Sequence, residues 1–128
     1  MALIVFDASA VLALLRGEHG ADVVAGYVGD AIMSAVNLQE VVKTLLRGGA
    51  PMEVAKEMIA ELHLDIRSHT NIEAFAAAEL YKATQSIGSG LGDRTCMALA
   101  ITAGIPALTA DRAWASLRVE GLQVRIIR

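Results

Sequence analysis

Apolar residues fall into short runs separated by longer stretches with helical spacing. Residues 3–6 (Leu3-Ile4-Val5-Phe6) are continuously apolar and Ala31-Ile32-Met33 nearly so, the texture of central strands in a parallel sheet, covered on both faces. Two other segments alternate, Leu62-His63-Leu64-Asp65-Ile66 and Leu122-Gln123-Val124-Arg125-Ile126. Alternation means one wet face, as at a sheet edge. With a short run at 107–109, five strands are predicted, over residues 3–6, 31–34, 62–66, 107–109 and 122–127. Helices fill the gaps. Pro51 suits a first helical position, and Met52, Ala55, Met58, Ile59 and Leu62 follow at helical spacing. Thr70 and Glu73 form a capping-box pattern ahead of Ile72, Phe75, Ala76 and Leu80. The run from Cys96 to Ile101 is apolar all round and is expected to lie deep. Strands alternating with helices predict an α/β fold with a parallel sheet. If the third and fifth strands are the edges, right-handed crossovers favour the order 3-2-1-4-5. The chain then reverses direction between strands one and four, and a ligand crevice is expected there, beyond the carboxyl ends of the strands.

Composition narrows the class. At 128 residues the expectation is a single domain spanning 1–128. Hydrophobic residues make up 55% and charged ones 20%, with only 2 prolines, which excludes a disordered chain. The 23 alanines and 4% aromatics favour closely packed helices. A mean hydropathy of +0.49 points to a partner or self-association surface, because no apolar run is long enough to span a bilayer. The opening Met1-Ala2-Leu3-Ile4-Val5-Phe6-Asp7 has no basic n-region and meets a carboxylate too early for a signal peptide. A lone cysteine, Cys96, permits no internal disulfide and fits a reducing cytosol, so a cytoplasmic protein is expected.

Four carboxylates carry the chemistry. Asp7 follows strand one directly, and Asp111 lies two residues past strand four. Glu40, in Asn37-Leu38-Gln39-Glu40, falls in the first turn of the helix after strand two; Asp93 follows Gly92 and opens the buried helix. Each has an ordinary structural explanation. Asp is a favoured N-cap, and Asp7, Asp93 and Asp111 each precede a helix. Asn37 and Glu40 read as a capping box, and Glu40 shares a face with Lys43, Thr44 and Arg47. Taken together, however, clustered carboxylates repel unless a cation lies among them. Hard oxygen donors without His or Cys select Mg²⁺ or Mn²⁺; His19, His63 and His69 show no ligand spacing. Carboxylates holding divalent ions suit phosphodiester hydrolysis by an activated water. The net charge of −3 is no bar to a nucleic-acid substrate, since setting the four acids aside leaves 11 basic residues against 10 acidic ones. Arg94 and Arg112, each beside one of the acids, are candidates for phosphate contacts. The glycine-rich stretch from Ser86 to Gly92 is expected to be a mobile loop beside the site.

At these residues the chain resembles the PIN-domain ribonucleases, in particular the VapC-type toxin subunit of VapBC toxin–antitoxin pairs. The carriers are Val5-Phe6-Asp7-Ala8-Ser9-Ala10, Ser34-Ala35 with Glu40 beyond it, Leu91-Gly92-Asp93-Arg94 running into Ala98-Leu99-Ala100, and Leu108-Thr109-Ala110-Asp111 followed by Trp114. No single piece is specific, but the ordered set is. The resemblance implies a three-layer α/β/α fold and Mg²⁺- or Mn²⁺-dependent RNA cleavage, with Asp7, Glu40, Asp93 and Asp111 as the acidic set. Thr109 and Ser9 would be hydroxyl neighbours that hydrogen-bond the ligands or metal-bound water. A homodimer and a cognate VapB-type antitoxin covering the site are implied as well, and the apolar helices between Val11 and Leu62 offer a groove for it.

Two rivals come from another class. A receiver-type signalling domain has five βα units at this length, but it needs paired acids after strand one and a lysine after strand five. Here strand one ends in a lone Asp7, and no lysine follows Lys82. A non-catalytic PIN-fold binding module remains the alternative, with all four acids present counting against it.

Overall fold

β1 (Ile4–Phe6) runs up the middle of a five-stranded sheet and is buried along its whole length. It pairs in parallel with β2 (Ala31–Ser34) through Ile4↔Ala31 and Val5↔Ile32, and with β4 (Ala107–Thr109) through Val5↔Ala107 and Phe6↔Leu108. β3 (Asp65–Arg67) flanks β2, and β5 (Val124–Ile126) flanks β4, giving the order β3-β2-β1-β4-β5 with every pair parallel. This computed structural model describes residues 1–128. The predicted strand order and edges stand. Edge residues alternate between half-buried and exposed, while the three central strands are buried throughout.

The period-2 alternation of the central strands feeds two cores. Ile4, Phe6, Met33 and Leu108 point to one face, packing against α1 (Ala8–Arg16), α2 (Ala21–Ala25), α3 (Ala35–Arg47) and α4 (Met52–Ala60). Val5, Ile32 and Ala107 point to the other, where Cys96, Met97 and Ala100 of α6 (Leu91–Ala103) and Trp114 cover them. α5 (Asn71–Glu79) lies against α6. The layers are therefore helix, sheet and helix.

Two expectations need correction. β3 starts at Asp65 rather than 62, because α4 does not stop cleanly. Leu62 N donates to Ile59 O and His63 N to Ala60 O, and His63 takes a left-handed φ of 48° before the chain extends. The alternation at 62–66 thus mixes a helix tail with a strand; Leu62 is buried as the last residue of the helical face. β5 likewise begins at Val124, since Leu122 N closes a turn on Val119 O and β4 offers only three residues to pair with. The capping box at Thr70 and Glu73 forms, with Thr70 N donating to Glu73 Oε2 at 3.0 Å. The helix it opens does not bury its large apolar residues, however: Ile72 and Phe75 stand 74% and 73% exposed.

A further expectation changes in kind. Residues 82–87 (Lys82–Ile87) form a 3₁₀ helix, so the glycine-rich stretch reduces to Gly88-Ser89-Gly90. Thr84 and Ser89 hydroxyls lie 2.6 Å apart, and Arg94 Nη1 donates to Ser89 O at 2.6 Å. The stretch is pinned from both sides.

Candidate active site

Asp7 leaves β1 at its carboxyl end, with its backbone N bonded to Leu108 O across to β4. It occupies the N-cap position of α1, but its side chain does not cap. Instead, one carboxylate oxygen, Oδ2, accepts from Ser9 Oγ at 2.7 Å and from Thr109 Oγ1 at 2.8 Å. Those hydroxyls are themselves oriented by the backbone. Ala110 N donates to Ser9 Oγ at 2.9 Å and Asp111 N donates to Thr109 Oγ1 at 3.1 Å. A hydroxyl has one proton to give. With both protons committed to Asp7, the 3.1 Å approach of Ser9 Oγ to Thr109 Oγ1 is proximity rather than a further bond.

Asp7 is 6% exposed. Burial pushes its pKa from 3.8 up to about 6, the two hydroxyl bonds pull it partly back, and the negative charges of Asp93 and Glu40 push it further up. Behind this carboxylate lies Cys96, fully buried. Its thiol is held well above the ordinary range, first by burial and then by Asp7, Asp93 and Glu40, so it is an inert core side chain.

Glu40 reaches the site from α3. The N-cap of that helix is Ser34, whose Oγ accepts from Val36 N at 3.2 Å. The helix therefore starts earlier than the pattern suggested, Glu40 lies in its second turn, and Asn37 with Glu40 is no capping box. Asn37 is fully buried. Its Nδ2 donates to Glu40 Oε1 at 2.8 Å and to Gly92 O, in the first turn of α6, at 3.0 Å. Its Oδ1 finds no partner, a cost of about 1–3 kcal/mol for a buried acceptor.

Asp93 is the third residue of α6 rather than its cap; its Oδ2 accepts from Gly90 N at 2.9 Å and ties the helix start to the preceding turn. Asp111 is exposed and caps a 3₁₀ helix, 112–116 (Arg112–Ser116), with Oδ1 accepting from Ala113 N at 3.0 Å.

All four carboxylates line one cavity of about 240 Å³, together with Ala8, Ser9, Leu12, Lys43 and Thr44. They come from β1, α3, α6 and the segment after β4, far apart in sequence. A second cleft of about 470 Å³, lined in part by Gln39, Lys43 and the Gly90–Asp93 backbone, shares Glu40, Lys43 and Asp93 with the first. Arg94 and Arg112 line neither cavity. Arg94 is engaged with Ser89 and lies over the Tyr81 ring, 5.9 Å from its centroid. The cation that does face the acids is Lys43, three residues after Glu40 on the same face of α3; the sequence had it on that face but gave no reason to prefer it. Asn37 was missed for another reason, because its partner Gly92 lies 55 residues away.

The donor set is hard oxygen throughout, which suits a divalent cation of the Mg²⁺ class. No group of three or more His, Cys, Asp or Glu side chains is placed to ligate an ion directly. Mg²⁺ held by one or two carboxylates keeps part of its water shell.

A family model described as PIN domain matches residues 4–120. No curated protein sequence matches significantly. Among solved structures, the chain is similar to the DNA-bound VapBC of Salmonella typhimurium, at 16% identity and TM-score 0.75, covering 100% of each chain. It is similar to VapBC2 from Rickettsia felis bound to a promoter DNA fragment, at 14% identity and TM-score 0.72, covering 97% of this chain and 98% of that one. VapC20 of Mycobacterium tuberculosis, a sarcin–ricin loop cleaving toxin, aligns at 18% identity and TM-score 0.69, over 90% of this chain and 96% of that one. At these identities the likeness is one of fold.

Proposed function

The chain belongs to the PIN domain family, and from that premise we propose that it is a VapC-type toxin, an endoribonuclease dependent on Mg²⁺ or Mn²⁺. One observation carries the reading: four carboxylates from four separate elements line a single cavity at the carboxyl ends of β1 and β4. Burial first, and then the charges of Asp93 and Glu40, raise the pKa of Asp7, as expected of a carboxylate grouped with other acids.

Asp7, Asp93 and Asp111 would hold the cation directly or through water, with Glu40 completing the ring. The bound ion supplies positive charge to the phosphate and a lowered pKa to an attacking water. Ser9 and Thr109 hold Asp7 Oδ2 in place and leave its other oxygen free to face the cavity. Lys43 offers a cationic contact to the RNA backbone at the junction of the two clefts. Water oxygen bonds to phosphorus, the 3′ oxygen leaves with a proton, and the product carries a 5′-phosphate.

A VapB-type antitoxin fits the same reading. An apolar groove of about 650 Å³ runs beside the site along α3 to the start of α4, with Leu38, Val42, Leu46 and Met52 in its walls, the kind of surface that receives an amphipathic helix. The structural neighbours include VapBC complexes. We read the protein as a cytoplasmic homodimer; no helix is long and apolar enough to cross a membrane.

The test is cleavage of structured RNAs by the purified chain with Mn²⁺, with EDTA, and as Asp7→Asn. Metal-dependent products ending in 5′-phosphate are expected, with Asp7→Asn lowering the rate on the order of a thousandfold. Beside it, Mn²⁺ at ten times its Kd should raise Tm by about 3–6 °C, from ~1.4 kcal/mol of binding. A chain that neither cuts RNA nor responds to Mn²⁺ is a binding module with a PIN fold.

A further inference from the structure

Asn37 is a fully buried side chain that links the two helices carrying Glu40 and Asp93. Its two Nδ2 protons go to two acceptors, Glu40 Oε1 at 2.8 Å and Gly92 O at 3.0 Å. Neither acceptor can donate, so the amide has only one orientation that satisfies them: Nδ2 toward the site, Oδ1 away. In that orientation Oδ1 is buried without a partner. A residue selected for stability alone would not leave an amide oxygen unpaired at full burial, since an apolar side chain of the same size fills the space without that loss. What the amide does accomplish is geometric. It ties the end of the Glu40 side chain to the backbone of the first turn of α6, one residue before Asp93.

Gly92 borders the same carboxylate, closest to the Oε1 that Asn37 bonds. A Cβ built there would lie 2.5 Å from Glu40 Cδ and from its Oε2. The Glu40 carboxylate therefore occupies a slot with two walls, the Asn37 amide and the bare Gly92 backbone. Along the chain Asn37 pairs with Glu40 only as a capping-box pattern, and nothing there brings Gly92 to the same carboxylate.

We propose that Asn37, with Gly92, positions Glu40, holding its carboxylate against the first turn of α6 so that Glu40 and Asp93 present themselves to the cavity as one rigid unit. Asn37 touches no cavity and reaches no reacting atom; it acts through Glu40. The inference rests on the ribonuclease reading for its consequence in catalysis, while its geometric content stands apart from that reading.

The experiment uses Asn37→Leu, Gly92→Ala, Glu40→Gln and the double variant Asn37→Leu/Glu40→Gln. Asn37→Leu fills the same space without the donor. Its Tm should stay within about 4 °C of wild type, roughly a kcal/mol at this size, because the lost bonds are offset by removing the orphaned oxygen. Side-chain couplings in NMR should show Glu40 passing from one rotamer to an averaged set, and amide hydrogen exchange over 91–94 should speed up. Gly92→Ala should displace Glu40 as well, with Asn37 intact. In RNA cleavage kcat should fall about tenfold or more with KM little changed, and the Mn²⁺ midpoint of the Tm shift should move to higher concentration by about tenfold. The double variant should be no slower than Glu40→Gln alone.

A Glu40 side chain that keeps one rotamer in Asn37→Leu overturns the proposal, whatever the protein does to RNA. Losses from Asn37→Leu that add in full to those of Glu40→Gln overturn it too, since Asn37 would then act by another route. Failure of the ribonuclease reading looks different: wild type shows no cleavage and no Mn²⁺ response, and the rotamer and exchange results still decide the positioning role.

Discussion

Asp7 and Glu40 line the same cavity, yet Asp7 stands on the end of a buried central strand and Glu40 on the second turn of a helix that is half wet. At the inner end, strand pairing does most of the work. Asp7 N is bonded to Leu108 O, and Ser9 and Thr109 are themselves oriented by backbone amides before they donate to the carboxylate. At the outer end no sheet is available, and one amide side chain reaches between α3 and α6 to do the holding. The inner carboxylate carries a large desolvation cost, which shows as a pKa of about 6. The outer arrangement carries its cost elsewhere, in an unpaired amide oxygen. An acid can thus be held by burial at the expense of its own ionisation, or by a buried neighbour that keeps the acid itself near solvent.

The pH dependence of the metal-free protein gives the largest test of this contrast. Asp7 has its folded pKa raised from 3.8 to about 6, so the folded state binds the extra proton. Its contribution is present in full below pH 3.8 and is lost as pH rises through about 6, ~3 kcal/mol in all at about 1.36 kcal/mol per pKa unit. Urea unfolding between pH 4 and 7 should show stability falling with pH, and Asp7→Asn should flatten that fall. The Asn oxygen can accept from Ser9 and Thr109 as Oδ2 does, so the variant is expected to be more stable than wild type at pH 7. An unchanged slope in Asp7→Asn would place the titrating group elsewhere and dissolve the contrast between the two ends.

Thr109→Val comes next. It keeps the shape of a fully buried residue but removes one of the two hydroxyls on Asp7 Oδ2. Cleavage or metal affinity should drop by about 10–100-fold. Unlike Asn37→Leu it should also lower Tm at pH 7, because Asp7 loses a bond that compensates its buried charge and Asp111 N loses its acceptor. Equal Tm behaviour in the two variants would mean that the inner and outer acids are held alike.

The smallest expected effect on stability belongs to Asp111→Asn. Asp111 is exposed and caps a short 3₁₀ helix through Ala113 N, and Asn caps as well as Asp. Thermal melting should therefore change by less than about 0.5 kcal/mol, while the Mn²⁺-induced shift in Tm shrinks. A retained shift would leave Asp111 as a cap and the acid ring with three members.

Much of this was readable along the chain. Apolar runs at 3–6 and 31–33 and the alternating edges predicted the sheet order, because burial on both faces and burial on one leave different periods in the sequence. Asp7 and Asp111 were legible as groups at the topological switch point, since one directly follows a central strand and the other lies two residues past one. The start of β3 was not, because the tail of α4 and the first strand residues share an alternating pattern that only the left-handed His63 separates. Ile72 and Phe75 of α5 stand in solvent, while Ala77 is its buried residue.

What the sequence determined by itself is whatever depends on neighbours along the chain: which segments are strands, which of them lie inside, and which acids follow them. Thr109 was named beforehand only through the family resemblance, and the tertiary structure decided the geometry in which those acids are held. The partners are Asn37 with Gly92, 55 residues apart, and Asp7 with Thr109, 102 apart. Such bonds depend on helix start, rotamer and the packing of α3 against α6 at the scale of an ångström. A shift of α3 by one residue would rotate Asn37 by about 100° away from Gly92. Hydrophobic periodicity tolerates such a shift at a helix end, and a hydrogen bond does not.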